Sequence, residues 1–174
     1  MDRPALATAI KRACYLEGDF VLRSGRRSTY YLDKYRFETR PDILRELGKL
    51  FAERVSPKTT TLAGAELGGV ALAAAAAMAA DLPFIIVRNA RKDYGTDNLF
   101  EGLLEKGSRV LLVEDIATTG GQVLEAARVI TEAGSTVEKI VCVIDRREGA
   151  RQNIESAGYT FESLFTTADL GISA

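Results

Sequence analysis

The sequence predicts an α/β fold, in which a twisted and mostly parallel sheet is flanked by helices. Two observations support this prediction. From residue 60 onward, apolar strand-like runs alternate with helix-like segments, which is the order of repeated βαβ units. The runs at 109–113 and 139–144 are almost continuously apolar, as expected for parallel strands covered on both faces. The 174 residues fit a single domain with a substantial core.

The N-terminal segment is predicted to contain a helix, a hairpin and a second helix. Residues 8–16 form a short helix, and residues 19–37 alternate apolar and polar side chains around Ser24-Gly25, which indicates a hairpin. Residues 40–55 form an amphipathic helix that Ser56-Pro57 ends. The apolar residues on one face of this helix are Ile43, Leu44, Leu47, Leu50 and Phe51.

The rest of the chain is predicted to supply the parallel sheet. Strands are predicted at 60–66, 82–89, 109–116, 137–147 and 160–166, and helices at 69–80, 121–134 and 148–158. A polar, charged loop is predicted at 90–102. Because alanine dominates helix 69–80, we expect that helix to pack closely on the sheet.

Composition excludes several classes of function. The net charge is −1, so duplex nucleic acid is not an expected partner. The two cysteines, Cys14 and Cys142, are too few for a disulfide scaffold and lack zinc-site spacing. Histidine is absent, so proton transfer would have to use Asp, Glu, Lys or Tyr. The first 18 residues lack a signal-like apolar run, and the most apolar window, 68–87, is interrupted by Asp81 and Pro83. We therefore expect a cytoplasmic protein without a membrane partner.

Polar or glycine-bearing segments follow four of the predicted strands. They lie at 64–69, 88–95, 114–121 and 145–147. Ligands of parallel α/β sheets bind beyond the carboxyl ends of the strands. We therefore expect these four segments to converge on one crevice.

The segment at 114–121 has more polar and flexible chemistry than a strand-to-helix turn requires. Glu114 and Asp115 end an apolar strand, and Thr118, Thr119 and two glycines precede a helix. Hydroxyl groups, inward-facing backbone N–H groups and a helix N-terminus can hold a phosphate monoester. The two carboxylates can accept hydrogen bonds from sugar hydroxyls or hold a metal through water. The segment therefore indicates a ribose-phosphate site.

The run VLLVEDIATTGG at 110–121 resembles the signature with which type I phosphoribosyltransferases bind 5-phosphoribosyl diphosphate (PRPP). The resemblance covers nearly the whole chain, from about residue 16 to residue 170. It implies the type I phosphoribosyltransferase fold. In that fold, residues 1–40 would form a small N-terminal hood with the hairpin, and residues 41–174 would form the parallel-sheet core.

Two further segments resemble the orotate phosphoribosyltransferases of this family. FVLRSGRRSTYYLD at 20–33 is similar to their N-terminal signature, in which Tyr30 and Tyr31 match an aromatic pair beside orotate and Arg23 takes the position of a lysine. VIDRREGA at 143–150 resembles a strand-end segment whose arginine contacts orotate, and Arg146 is the match. A guanidinium group can donate two parallel hydrogen bonds to a carboxylate or imide.

The segment VRNARKDYGTDNLFEG at 87–102 aligns with the family's mobile catalytic loop. Arg88, Lys92 and Gly95 match the family pattern, whereas Asn89 replaces a lysine and Tyr94 replaces a histidine. The loss of that histidine is tolerable if the acceptor is already anionic, as orotate is.

The segment AGAELGGVALA at 63–73 fits the family's diphosphate-side loop. Residues 66–69 would present backbone donors there. Some relatives have a lysine at the position of Gly68, so one charged contact to the leaving group is missing.

The resemblance implies that orotate and PRPP react with Mg²⁺ as cofactor to give orotidine 5′-monophosphate and diphosphate. It implies Lys92 and Asp115 as catalytic residues, with Mg²⁺ held mainly by substrate oxygens and Asp115 contributing through water. It implies a homodimer in which the 88–101 loop is shared across the interface. The implied PRPP-binding residues are Arg88, Lys92, Tyr94, Glu66, Leu67, Gly68, Gly69, Glu114, Asp115, Ile116, Ala117, Thr118, Thr119, Gly120 and Gly121. The implied orotate-binding residues are Arg23, Tyr30, Tyr31, Thr118 and Arg146.

Two alternatives remain open from the sequence. The chain could be a phosphoribosyltransferase for another base, although the segment at 20–33 favours orotate. It could also be a non-catalytic PRPP-binding regulator of the same fold, which the replacements Asn89 and Tyr94 would suit.

Overall fold

The N-terminal part of the computed structural model is a helix followed by a hairpin; the structure describes residues 1–21, 25, 27–89 and 99–172. Helix α1 (Arg3–Cys14) begins after Asp2, whose side chain accepts a hydrogen bond of 2.8 Å from the Ala5 N–H. Strand β1 (Tyr15–Val21) pairs antiparallel with β2 (Arg27–Leu32) in a separate two-stranded sheet. The predicted hairpin is therefore confirmed.

The helix predicted at 8–16 was wrong at both ends. Its true start carries a sequence signal, since Asp2 caps it and a proline occupies its first turn. At the other end, Tyr15 and Leu16 belong to β1, where they pair with Leu32 and Tyr31.

A six-stranded sheet forms the centre of the molecule, in the order β5-β4-β3-β6-β7-β8. All neighbouring pairs are parallel except β4 and β5. The predicted mostly parallel sheet is confirmed. Its strands are β3 (Thr61–Ala65), β4 (Phe84–Val87), β5 (Phe100–Glu101), β6 (Arg109–Ala117), β7 (Thr136–Asp145) and β8 (Phe161–Thr166).

Helices cover both faces of this sheet. They are α2 (Tyr35–Glu38), α3 (Pro41–Ala52), α4 (Gly68–Ala80), α5 (Gly121–Glu132) and α6 (Ala150–Ser156). The core on one face combines α1, α3 and α4 with the sheet, and the core on the other combines α5 and α6 with it. Each face of the sheet is thus buried, which explains why its strands are nearly continuously apolar.

Small residues allow α4 to approach both β3 and α3. A Cβ atom at Gly64 of β3 would lie 2.1 Å from the Gly69 carbonyl oxygen. A Cβ atom at Gly48 of α3 would lie 2.7 Å from the Ala75 carbonyl oxygen. The close packing expected for the alanine-rich helix is confirmed, and it fixes where α4 begins relative to β6.

Two short elements were not predicted. Strand β5 lies inside the segment predicted as a polar loop, where Phe100 pairs with Val87 and Glu101 with Ile86. Helix α2 overlaps the end of the segment assigned to the hairpin. Helix α2 is one turn long and β5 is two residues long, so periodicity could not reveal them.

Candidate active site

The sheet has a switch point between β3 and β6. These strands are neighbours, but α4, which follows β3, packs on one face and α5, which follows β6, packs on the other. The two connections therefore diverge and leave a crevice at the carboxyl ends of the strands, which is the usual ligand position in such sheets.

A cavity of about 500 Å³ lies at this crevice. The segment 114–121 supplies most of its wall, and Lys34, Tyr31 and Arg146 complete it from the hairpin side and from the end of β7. The remaining lining residues are Gln122, Val123 and Glu148. The volume fits a small phosphorylated ligand.

Glu114 and Asp115 form an acid pair at the floor of the cavity. Both are buried, with 7% and 2% of their surface exposed. Glu114 accepts a hydrogen bond of 3.0 Å from the Asp115 N–H, and the Ile116 N–H donates to Asp115 Oδ1. Lys34 Nζ lies 2.5 Å from Asp115 Oδ2. Asp115 therefore has Lys34 as a direct counterion.

Burial has the largest effect on the pKa of Glu114. Loss of water raises the pKa of Glu114 well above its usual range, and the neighbouring charge of Asp115 raises it further. The pKa of Lys34 is also raised overall: burial opposes the charged form, but Asp115 stabilises it more. Burial and the neighbouring Asp115 therefore favour the neutral form of Glu114, while Asp115 favours the charged form of Lys34.

The turn at 118–121 leads directly into α5. Gly120 is the N-cap residue of α5, at φ 81°, and no side chain caps the first N–H groups of the helix. These donors therefore face the cavity without an intramolecular side-chain partner. The Thr118 and Thr119 carbonyl oxygens are turned away from it, since they accept hydrogen bonds from Ala150 N and Asn153 Nδ2. The turn presents its donors to an anion.

Arg146 directly follows β7, which lies on the other side of β6 from β3. Its Nε lies 2.9 Å from Glu148 Oε1, and its Nη2 donates a hydrogen bond of 3.2 Å to the Tyr30 hydroxyl. Tyr30 also lies beneath the guanidinium group, at 5.3 Å from ring centre to Cζ. Tyr31 lines the cavity with 44% of its surface exposed. A planar anionic ring could bind between Tyr31 and Arg146.

The loop at 66–69 adjoins the cavity through Gly68 and is tied to two neighbouring segments. The Asn89 N–H donates a hydrogen bond of 2.7 Å to Glu66 Oε1, and Asn89 Nδ2 donates one of 3.0 Å to the Glu66 carbonyl. Gln122 Nε2 donates to the same carbonyl at 3.1 Å. These bonds join the ends of β3 and β4 to the start of α5. Leu67 is exposed, and Gly69 packs against Gly64.

The other predicted site residues lie at the margin of the cavity or outside the described residues. Arg88 lines a neighbouring cavity that shares Gln122, and its Nη1 lies 3.1 Å from Glu101 Oε1. Arg23, Lys92 and Tyr94 lie outside the described residues. The structure therefore brings together the predicted segments 66–69, 114–121 and Arg146, with Arg88 beside them.

Sequence reasoning missed the lining residues Val123 and Glu148 and three further side chains at this site. Lys34 and Gln122 line the cavity, and Glu38 is a buried carboxyl near Asp115. Gln122 directly follows the predicted phosphate turn, so its position was a usable signal. Lys34 and Glu38 carried no signal, because their contacts with Asp115 depend on how the hairpin end packs against the sheet.

Within the parts of the chain that the structure describes, no cluster of three or more Asp, Glu, Cys or His side chains is arranged to hold a metal ion. The described helices also include none that is long and apolar enough to cross a membrane.

Comparisons with known proteins agree with the class that the crevice and its turn indicate. The phosphoribosyl transferase domain family matches residues 36–164. The chain is 46% identical over 153 residues to the orotate phosphoribosyltransferase of Methanocella arvoryzae, which covers 88% of this chain and 87% of that relative.

Solved structures give the same result. The structure of Mycobacterium tuberculosis H37Rv orotate phosphoribosyltransferase in complex with Fe(III) dicitrate superposes with a TM-score of 0.89 at 32% identity, covering 99% of this chain and 100% of that one. The structure of that enzyme in complex with PRPP gives a TM-score of 0.85 at 31% identity, with the same coverage. The chain therefore belongs to the phosphoribosyltransferase family and, within it, to the orotate phosphoribosyltransferases.

Proposed function

We propose that this chain transfers the 5-phosphoribosyl group of PRPP to orotate, giving orotidine 5′-monophosphate and diphosphate in pyrimidine biosynthesis. The observation that carries this proposal is a single cavity that combines a donor-rich turn, an acid pair and a cationic, aromatic end. Each part suits one part of the two substrates. The names of the relatives support the same activity.

The ribose phosphate occupies the centre of the cavity in this proposal. The backbone N–H groups at the start of α5, together with the Thr118 and Thr119 hydroxyls, bind the 5′-phosphate. Asp115 and Glu114 accept hydrogen bonds from the ribose hydroxyls. Bond breaking at C1 develops positive charge on the sugar ring, as in glycoside chemistry, and the Asp115 carboxylate stabilises that charge.

Orotate binds at the Arg146 side of the cavity. Its carboxylate and imide oxygens accept hydrogen bonds from the guanidinium group of Arg146, and its ring packs on Tyr31. Arg23 and Thr118 complete this end of the site. Tyr30 acts indirectly, since its hydroxyl and ring hold Arg146 in place. As the bond from C1 to the diphosphate breaks, the ring nitrogen of orotate bonds to C1 and its proton passes to a diphosphate oxygen or to solvent, so that no strong general base is required.

The diphosphate leaves from the side of residues 66–69. Backbone groups of Glu66, Leu67, Gly68 and Gly69 contact it, and Arg88, Lys92 and Tyr94 of the 88–101 loop stabilise its growing charge. Lys92 is the principal catalytic residue in this assignment. Its positive charge stabilises the leaving group more in the transition state than in the ground state.

Mg²⁺ belongs to the proposal as the cofactor that neutralises diphosphate charge. The donor set of the cavity fits this ion, because two adjacent carboxylates are hard oxygen ligands and Mg²⁺ is commonly bound by one or two carboxylates plus substrate phosphates and waters. Asp115 would hold it through water. A homodimer that shares the 88–101 loop, and a cytoplasmic location, complete the proposal.

The test is an absorbance assay of orotate consumption with PRPP and Mg²⁺, for the parent, Lys92→Ala and the exposed control Lys58→Ala. We expect turnover by the parent and by Lys58→Ala. Loss of the leaving-group cation should lower kcat by about 100-fold or more in Lys92→Ala. A parent that binds PRPP but consumes neither orotate nor another base would contradict the enzyme and favour the regulator. Unchanged kcat in Lys92→Ala would contradict the role of the loop lysine alone.

A further inference from the structure

Lys34 lies in the wall of the cavity and has none of the roles assigned above. It immediately precedes α2, and its Nζ is 2.5 Å from Asp115 Oδ2. Its side chain is 28% exposed, whereas that of Asp115 is 3% exposed. The ammonium group therefore lies at the boundary between the buried acid pair and the open cavity, within reach of a bound ligand.

Gly68 explains how Lys34 reaches this position. A Cβ atom at Gly68 would lie 1.7 Å from Asp115 Oδ2 and 3.0 Å from Lys34 Nζ. The Lys34–Asp115 pair therefore fills the space into which a side chain at residue 68 would project. Lys34 and Gly68 therefore depend on each other, because the Lys34–Asp115 pair leaves no room for a side chain at residue 68.

Among the described residues that line the cavity, the cations are Lys34 and Arg146, and Lys34 lies at the Gly68 end. Glu114, Asp115 and Glu148 line the cavity, while PRPP brings a monoester phosphate and a diphosphate. Arg146 is 2.9 Å from Glu148 and lies on the far side of β6. An anionic group beside the start of α4 therefore meets acids unless a cation accompanies it.

We propose that Lys34 is a PRPP-binding residue that turns from Asp115 to the diphosphate group when substrate enters. It provides, from the end of the hairpin, the charged contact that Gly68 cannot make. Its departure also frees Asp115 Oδ2 to accept a hydrogen bond from a ribose hydroxyl. The identity of the substrate rests on the proposed function, but the test below needs only PRPP binding and not turnover.

The test compares PRPP with ribose 5-phosphate, which lacks the diphosphate, by calorimetric titration in the presence of Mg²⁺. Lys34→Met keeps the length of the side chain and removes its charge. We expect it to weaken PRPP binding by roughly 10- to 100-fold, the effect of one charge-assisted hydrogen bond, and to weaken ribose 5-phosphate binding by less than about threefold. Lys49→Met is the matched control, since Lys49 forms a surface pair with Glu46 at 2.9 Å, and it should bind both ligands as the parent does.

One more variant separates charge from structure. Lys34→Arg should keep the fold and most of the preference for PRPP over ribose 5-phosphate. Equal losses for the two ligands in Lys34→Met, or no loss for either, would overturn the proposal. So would a Lys34→Arg variant that folds but binds PRPP no better than Lys34→Met.

Discussion

Glu38 shows how burial sets charge in single residues near the site. Its carboxyl group is 3% exposed. Burial, with a smaller contribution from the charge of Asp115, raises the pKa of Glu38 to about 8 against the opposing charge of Lys34. Glu38 is therefore protonated at neutral pH in the folded protein, whereas the unfolded chain ionises it near pH 4.5.

Because of this difference, we predict that Glu38 makes the free energy of unfolding depend on pH. Between pH 4.5 and about 8 the folded state binds the proton that the unfolded state releases, so stability falls as the pH rises through that window. Glu38→Gln removes the ionisable group and with it this loss of stability. We expect its melting temperature to exceed that of the parent by roughly 2–4 °C at pH 8, the shift of about 1 kcal/mol in a domain of this size, and by little at pH 5.

Melting followed by circular dichroism between pH 5 and pH 8.5 checks this expectation. The exposed residue Glu105 offers a control, since Glu105→Gln should leave the pH profile of the parent unchanged. Parallel profiles for the parent and Glu38→Gln would show that Glu38 ionises in the folded protein as it does in the unfolded chain.

The residues found from sequence at this site share a local pattern. Glu114, Asp115 and the turn after them stand in one continuous segment, so spacing alone placed them together. Lys34 and Glu38 were missed because they reach Asp115 from the N-terminal segment, about 80 residues earlier in the sequence. From the sequence, Asn89 was recognised only as the residue that replaces a lysine of the family pattern. In the structure it donates two hydrogen bonds to Glu66. Such long-range partners depend on tertiary packing.

At the scale of elements, the contact between β3 and α4 fixes the edge of the crevice. Gly64 and Gly69 meet so closely that neither has room for a side chain. A Cβ atom at Gly64 would lie 2.1 Å from a backbone oxygen and 3.0 Å from the Ala73 side chain. The Gly69 backbone cannot move aside as a flexible side chain can, so α4 would have to shift away from β3.

We therefore predict that Gly64→Ala lowers the free energy of unfolding by about 3 kcal/mol or more, at the upper end of overpacking costs. Urea denaturation measures this change. Gly121→Ala is the matched control, because its Cβ atom would meet only Thr119 Oγ1, at 3.9 Å, and its cost should stay below about 1 kcal/mol. Equal costs for the two variants would mean that α4 shifts freely on β3.

Element prediction succeeded where the hydrophobic pattern was long. Helix α3 and strands β6 and β7 match the predicted segments closely, since each repeats its pattern over many residues. The pattern failed for β5, whose two residues pair with β4. It also failed at the boundary of α1, where β1 begins at once after Cys14 without a turn residue between them. A local sequence pattern cannot reveal the boundary of an element when only strand pairing defines that boundary.

At the scale of the whole molecule, the sheet order accounts for the site. Because β3 and β6 are adjacent and their helices lie on opposite faces, the cavity opens at the carboxyl ends of the strands, where the segments after β6 and β7 line it and Gly68 adjoins it. Only the 88–101 loop is proposed to act across a subunit interface.

Mixed dimers distinguish a shared loop from one that serves its own subunit. Lys92→Ala impairs the loop, and Asp115→Asn impairs the cavity, so each variant alone should have little activity. If the loop acts in the neighbouring subunit, a mixed dimer contains one site with both defects and one intact site. Random pairing of equal amounts should then restore about one quarter of the parent activity, as expected for a two-fold symmetric dimer.

The measurement is orotate consumption after the two variants are refolded together, with sedimentation velocity to establish the dimer. Separate refolding followed by mixing on ice is the control, because subunits that do not exchange should stay inactive. If each loop serves its own subunit, every site in the mixture keeps one defect, and no activity above that of the single variants should return. Active monomers would exclude the shared site altogether, because one chain would then supply both Lys92 and Asp115.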